Sequence, residues 1–144
     1  MGGLQMSALV IDTHVLVWLL EKNKQLGATA REALKKAASV HALYVPAITP
    51  WEIAMLVSKG KLTLKRDVGE WLESAFELPG LRLEPLSPAV AVASTRLPGE
   101  INNDPADRII VATARHLGVP LVTADENLLS YSAQGHLKTI KATQ

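Results

Sequence analysis

Apolar residues in this chain follow two alternating rhythms: short continuous runs, and longer stretches in which they recur every three or four positions. Residues 8–11, 42–48, 81–86 and 119–123 are runs of the first kind and read as strands, with 137–140 as a candidate edge strand. Between them the period is helical. Val15, Leu16, Leu19 and Leu20 follow the first run, and residues 25–39 place Leu26, Ala30, Ala33, Leu34 and Ala37 on one face with Arg31, Lys35 and Lys36 outward. Residues 67–78 carry Val68, Trp71, Leu72, Ala75 and Phe76 in the same way, and Ser87-Pro88 opens a further helix to about Leu97. Gly60, Pro79-Gly80, Pro98-Gly99 and Gly118 supply the stops. Strands alternating with helices along the whole chain predict an α/β fold of three layers, with a mostly parallel sheet of four to five strands between two layers of helices. Residues 1–144 form one domain in this reading. Residues 1–6 are a polar lead left out of the fold, and Met6 is an alternative start.

Two helix starts carry more than a boundary. Thr49-Pro50-Trp51-Glu52 has the form of a capping box, with Thr49 at the N-cap, Pro50 at the first helical position and Glu52 at the third, before a helix to about Ser58. Asn102 to Ala114 reads Asn-Asn-Asp-Pro-Ala-Asp-Arg-Ile-Ile-Val-Ala-Thr-Ala. Pro105 lacks an N–H and suits the first helical position, so Asp104 becomes the N-cap and Asp107 the third residue of the helix. Residues three apart share a face, so both carboxylates can enter one crevice while Ile110, Ala114 and Leu117 form a buried stripe. Acids in a first turn are also favoured by the helix dipole, so this stretch alone does not separate capping from chemistry.

Composition narrows the chemistry. A chain of 144 residues that is 48% hydrophobic can bury a core without staples, and with one Phe, two Tyr and three Trp that core is mostly aliphatic. The absence of cysteine excludes disulfides, thiol nucleophiles and Cys-based zinc sites, and fits a cytoplasmic setting. Apolar runs such as 15–20 are far too short to span a membrane, and the N-terminus lacks the pattern of a signal peptide. A net charge of +1 gives no global attraction to nucleic acid, so such a partner would be held by a local patch or through metal ions.

The architecture gives the acids a shared address. Ligands of open parallel sheets bind beyond the carboxyl ends of the strands. Asp12 and Asp125 directly follow apolar runs, and Glu52 follows one within the next helical turn. With Asp104 and Asp107, four segments bring carboxylates to one edge. Like charges raise one another's pKa values, so such a cluster calls for a cation, and Mg²⁺ or Mn²⁺ suits oxygen ligands. A site of this kind fits phosphodiester hydrolysis.

Ile11-Asp12-Thr13-His14-Val15-Leu16-Val17-Trp18, Trp51-Glu52-Ile53, Asp104-Pro105-Ala106-Asp107-Arg108 with Ala112-Thr113-Ala114, and Leu121-Val122-Thr123-Ala124-Asp125 resemble PIN-domain ribonucleases of the VapC toxin type, over about residues 8–140. The resemblance implies a PIN-like α/β/α fold, a divalent-metal RNA endonuclease, a homodimer and a cognate antitoxin encoded nearby. It assigns Asp12, Glu52, Asp107 and Asp125 to the catalytic, metal-holding quartet. Asp107 is preferred to Asp104 because the family's acid directly precedes the Ala-rich apolar run. Thr123 matches a position near the site, and Thr13 is placed to orient Asp12.

The remaining polar and aromatic residues read more plainly. Arg108 pairs most simply with a neighbouring acid, with phosphate contact as its other use. His14, His41, His116 and His136 show no metal-ligand spacing, although His14 lies one turn from the site. Lys59, Lys61, Lys65 and Arg66 are the best available RNA patch. Trp18, Trp51 and Trp71 take core-like helix positions, which argues against base stacking. A phosphotransferase with a nucleophilic Asp is a weaker reading, because it wants a second acid where His14 stands. A PIN nuclease of RNA processing without an antitoxin, and a non-catalytic PIN-like binding module, are the closer rivals.

Overall fold

In the computed structural model, residues 7–144 are described, and they form five strands and seven helices in alternation. The lead 1–6 and the alternative start at Met6 lie outside them. The order is β1 (Leu9–Ile11), α1 (Thr13–Leu20), α2 (Ala28–Ser39), β2 (Leu43–Pro46), α3 (Ile48–Ser58), α4 (Val68–Glu77), β3 (Leu81–Glu84), α5 (Pro88–Ser94), α6 (Pro105–Leu117), β4 (Leu121–Thr123), α7 (Glu126–Ser132) and β5 (Thr139–Lys141). The strands form one sheet in the order β3-β2-β1-β4-β5, and every neighbouring pair is parallel.

The central strands have apolar side chains on both faces because both faces are covered. Leu9 and Ile11 of β1 enter a core with Val15 and Leu16 of α1, Leu34 of α2, Ile53 of α3 and Trp71 of α4. Val10, between them, points the other way and meets Ile110, Val111 and Ala114 of α6 with Leu128 and Tyr131 of α7. Strand β4 splits likewise, Leu121 to the second core and Val122 to the first. Tyr131 is fully buried, and its hydroxyl donates to Pro98 O at 2.7 Å, tying α7 to the loop before α6.

Two boundaries and one burial differ from the sequence reading in informative ways. Helix α2 starts at Ala28 rather than Gln25, because a tight turn anchored by Asn23 occupies the intervening residues and Gly27 donates to Ala142 O. A Cβ on Gly27 would lie 2.1 Å from the backbone of Gln144, so glycine permits this closure of the C-terminal segment onto α2. The capping box at Thr49 does not form. Helix α3 begins at Ile48 with Ala47 at its N-cap, and Ala47 N is engaged by Glu84 O. Thr49 is already inside the helix and fully buried. Pro50 then falls within the first turn, where a missing N–H removes no helical hydrogen bond. The third difference is Trp51, which is 56% exposed rather than core, whereas Trp71 is buried and Trp18 half-buried. The buried residues of α3 are Thr49 and Ile53, and two positions along a helix is a turn of about 200°, so Trp51 faces away from them.

Candidate active site

The chain runs from β1 outward through β2 to β3, then returns to build β4 and β5 on the other side of β1. The reversal lies between β1 and β4, and the crevice beyond the carboxyl ends of strands at such a point is where parallel sheets bind ligands. Asp12 follows β1 and Asp125 follows β4, one on each side of it.

Asp12 is 4% exposed and caps α1. Its Oδ1 accepts from Thr13 N at 2.8 Å and its Oδ2 from the Thr123 hydroxyl at 2.6 Å. Thr123 Oγ1 in turn accepts from Asp125 N at 3.0 Å, so one buried hydroxyl joins the two acids. Asp125 caps α7, its Oδ1 accepting from Asn127 N at 2.8 Å. Burial raises the Asp12 pKa; His14 and the bonds from Thr123 and Thr13 oppose the rise, and Asp125 adds to it.

Glu52 reaches the crevice from the second turn of α3. Its Oε1 accepts from the Thr13 hydroxyl at 2.5 Å, and Thr13 Oγ1 lies 3.0 Å from Thr49 Oγ1. A hydroxyl has one proton, and that of Thr13 goes to Glu52, so Thr49 is the donor to Thr13. Burial raises the Glu52 pKa, the Thr13 bond lowers it, and Asp12, Asp104 and Asp125 raise it again.

The α6 start has the predicted form. Asp104 is the N-cap and accepts from Asp107 N at 3.1 Å, with Pro105 next. The side chain of Asn102 bridges the two acids: its Oδ1 accepts from Asp104 N at 2.9 Å and its Nδ2 donates to Asp107 Oδ2 at 3.1 Å. Asp107 has the clearest shift, its pKa pushed up to about 7 by burial and by Asp104, Asp12 and Asp125, against the Asn102 bond.

The four predicted acids are thus brought to one crevice, and Asp104 stands at its rim. Thr13 holds Glu52 through its hydroxyl as well as Asp12 through its N–H. Thr49, read from the sequence as an N-cap only, and Asn102, given no role there, are additions to the crevice. Arg108 is corrected: it donates to Ser94 O and Asn102 O, each at 3.0 Å, and so fixes the loop before α6 rather than pairing with an acid. His14 accepts from Ala124 N at 3.1 Å through Nε2, which leaves Nδ1 as the protonated nitrogen, 3.6 Å from Asp12 Oδ2. It joins α1 to the turn after β4.

The donor set fits a hard cation. It is entirely oxygen, and neighbouring carboxylates raise the pKa values of Asp12, Glu52 and Asp107 beyond what burial does. Among the described residues no three His or acidic side chains close on a single point. The fit rests on donor chemistry alone: Mg²⁺ or Mn²⁺ takes oxygen ligands and is usually held by one or two carboxylates, with water and substrate phosphate completing the shell.

A parallel α/β/α sandwich with an acidic crevice at its switch point is the architecture of a nuclease class, and the match is specific: the PIN domain family covers residues 9–133, so the chain belongs to that family. Ribonuclease VapC22 of Mycobacterium tuberculosis is 34% identical over 126 residues, which are 88% of this chain and 93% of that protein. Among solved structures, VapBC2 from Rickettsia felis bound to a promoter DNA fragment superposes with a TM-score of 0.64 at 17% identity, covering 92% of this chain and 97% of that one. FitAcB from Neisseria gonorrhoeae gives 0.63 at 21% identity, with 93% and 97% covered. At these identities the structures speak for the fold. No helix among the described residues is long and apolar enough to cross a membrane.

Proposed function

We propose that this protein is a divalent-metal-dependent RNA endonuclease, the toxin of a toxin–antitoxin pair. The observation that carries the reading is the convergence of Asp12, Glu52, Asp107 and Asp125 on the crevice between β1 and β4, in a chain of the PIN domain family with a VapC ribonuclease as a 34% identical relative. Those four acids would hold Mg²⁺ or Mn²⁺. The chemistry such an ion supplies is activation of water and stabilisation of charge at the attacked phosphate and leaving oxygen.

The chain's own residues prepare the place. Thr123 fixes Asp12 against Asp125, while Thr49 and Thr13 fix Glu52, so that these carboxylates present oxygens in set directions. Asp107, whose pKa burial and the neighbouring acids push up to about 7, would be favoured in its charged form by such a cation. Lys59, Lys61, Lys65 and Arg66, all exposed after α3, are the basic patch that would meet RNA phosphates.

The working unit is a homodimer in the cytoplasm, and its partner is an antitoxin encoded beside it. Toxin–antitoxin assemblies stand among the similar structures, a complex from Klebsiella pneumoniae included. An antitoxin arginine in place of the metal would pair with the carboxylates in fork geometry and silence the site. Two measurements test the reading. Cleavage of single-stranded RNA should vanish in excess chelator and return with Mg²⁺ or Mn²⁺; cleavage that persists overturns the metal site. Co-expression with the adjacent gene product should give a soluble, inactive complex. A product that neither binds nor inhibits favours an RNA-processing nuclease.

A further inference from the structure

Trp51 is the most exposed of the large apolar side chains, and it does not stand on an open surface. It lines a cavity of about 380 Å³ with Ile48, Met55, Pro105 and Ala106, and the remaining wall is made by Glu52 and Asp104. That volume lies in the range of small-ligand sites, about 300–1,000 Å³. The cavity is therefore an apolar annex to the acidic crevice, sharing Glu52 with it. None of the other exposed large apolar residues, Leu78, Leu83, Leu86 and Val92, lines it.

Its chemistry has two parts. Trp51 offers a large π-surface. Asp104 offers a carboxylate whose Oδ1 caps α6 and whose Oδ2 accepts no hydrogen bond from the described residues. From these we infer that the cavity is a nucleobase subsite: Trp51 stacks on a base of the RNA beside the scissile phosphate, and Asp104 accepts N–H donors from that base's Watson–Crick edge. The inference rests on the nuclease reading, which puts the phosphate at Glu52 and hence a neighbouring base within reach of the annex. Single-stranded RNA is commonly read by aromatic stacking with hydrogen bonds to base edges. A carboxylate accepts only, so it favours guanine, whose adjacent N1–H and N2–H offer two donors, over uracil, whose single N3–H lies between two carbonyls that the carboxylate repels. One indole with a rim of Met and Ile is also far smaller than the roughly 800 Å² per partner of a stable protein interface.

The test uses the full-length protein with Mg²⁺ or Mn²⁺, on oligouridine RNA carrying a single guanosine and on the all-uridine control. Wild type should cut beside the guanosine. Trp51→Ala should raise KM about tenfold or more with a smaller change in kcat, the usual scale of one lost stacking contact. Trp51→Phe should recover most of the loss. Asp104→Asn keeps an N-cap but replaces one acceptor oxygen with a donor, so it should weaken the preference for cutting beside guanosine. Unchanged KM and cleavage positions in Trp51→Ala would overturn the inference while leaving the nuclease reading intact. So would light scattering that shows Trp51→Ala dissociating the protein while cleavage positions stay fixed, since the cavity is then a protein contact. Wild-type protein that cuts neither RNA in any metal would take down both readings.

Discussion

The two sides of the crevice are built differently. On the strand side, Asp12 and Asp125 are caps of α1 and α7, joined by the Thr123 hydroxyl and fixed by backbone N–H groups. On the helix side, Asp107 receives one side-chain bond, from Asn102, and sits half-buried among other acids with its pKa near 7. The strand side uses carboxylates to complete the fold as well as the site. The helix side holds an acid that the fold alone does not satisfy. The same residue type therefore carries different stability costs on the two sides, although both face one crevice.

Substitution of the acids should separate the sides most strongly. Asp107→Asn and Asp12→Ala should each lower RNA cleavage by orders of magnitude, because a hard cation needs the carboxylate charge. Their stabilities should part. Asp12→Ala leaves the Thr123 hydroxyl and Thr13 N–H without their acceptor and should cost about 1–3 kcal/mol in denaturant unfolding. Asp107→Asn in chelator at pH 7.5 should be as stable as wild type or more so, since it removes a repelled charge. Equal destabilisation by both would erase the distinction between the two sides.

A smaller effect should come from the hydroxyl network. Thr123→Val removes the donor to Asp12 and the acceptor for Asp125 N without changing any charge, and should reduce metal affinity or activity by roughly 10–100-fold. Metal titration and initial rates check it; an unaffected variant would mean that the strand side is held by backbone capping alone.

The smallest expected effect is at the rim. Asp104→Ala should cost about 0.5–2 kcal/mol, the usual loss for an N-cap, whereas Asp104→Asn should cost a few tenths at most, because Asn caps about as well as Asp. Cleavage by Asp104→Asn should exceed that of Asp107→Asn by a wide margin. The reverse order would move Asp104 into the metal-holding set in place of Asp107.

What the sequence made legible was the part determined locally. Asp104-Pro105 predicted its helix start because proline chemistry and capping act within one turn, and Gly118 ended the same helix in a left-handed conformation. The alternation of apolar runs with helical periods was enough for the parallel sheet, and it put the acids after β1 and β4 at the same edge. The failures involve partners that the sequence pattern does not encode, some of them distant and some only a few positions away. Thr49 has the sequence of an N-cap, but its hydroxyl is drawn to Thr13, 36 positions away, and the helix starts before it. Arg108 is satisfied by two carbonyls that no spacing rule reveals, and Asn102 serves two acids at once. Trp51 was misplaced because helical periodicity identifies a face only once the buried residues are known, and here those are Thr49 and Ile53.

Calorimetric titration of Mn²⁺ into the protein across pH would show whether the crevice is a cation site with Asp107 on its helix side. Without metal, the folded state holds the Asp107 proton up to about pH 7, whereas the unfolded chain releases it near the ordinary carboxylate value. The folded state binds more protons over that window, so this group's contribution to stability falls as pH rises from about 4 to 7 and is flat above it. Metal binding reverses the preference by favouring the ionised form. Mn²⁺ should therefore bind more tightly at pH 8 than at pH 6, with close to one proton released through Asp107 per binding event at pH 6 and little at pH 8.5, and Asp107→Asn should lose both the affinity and the proton release. Binding that is independent of pH and unchanged in Asp107→Asn would contradict the account.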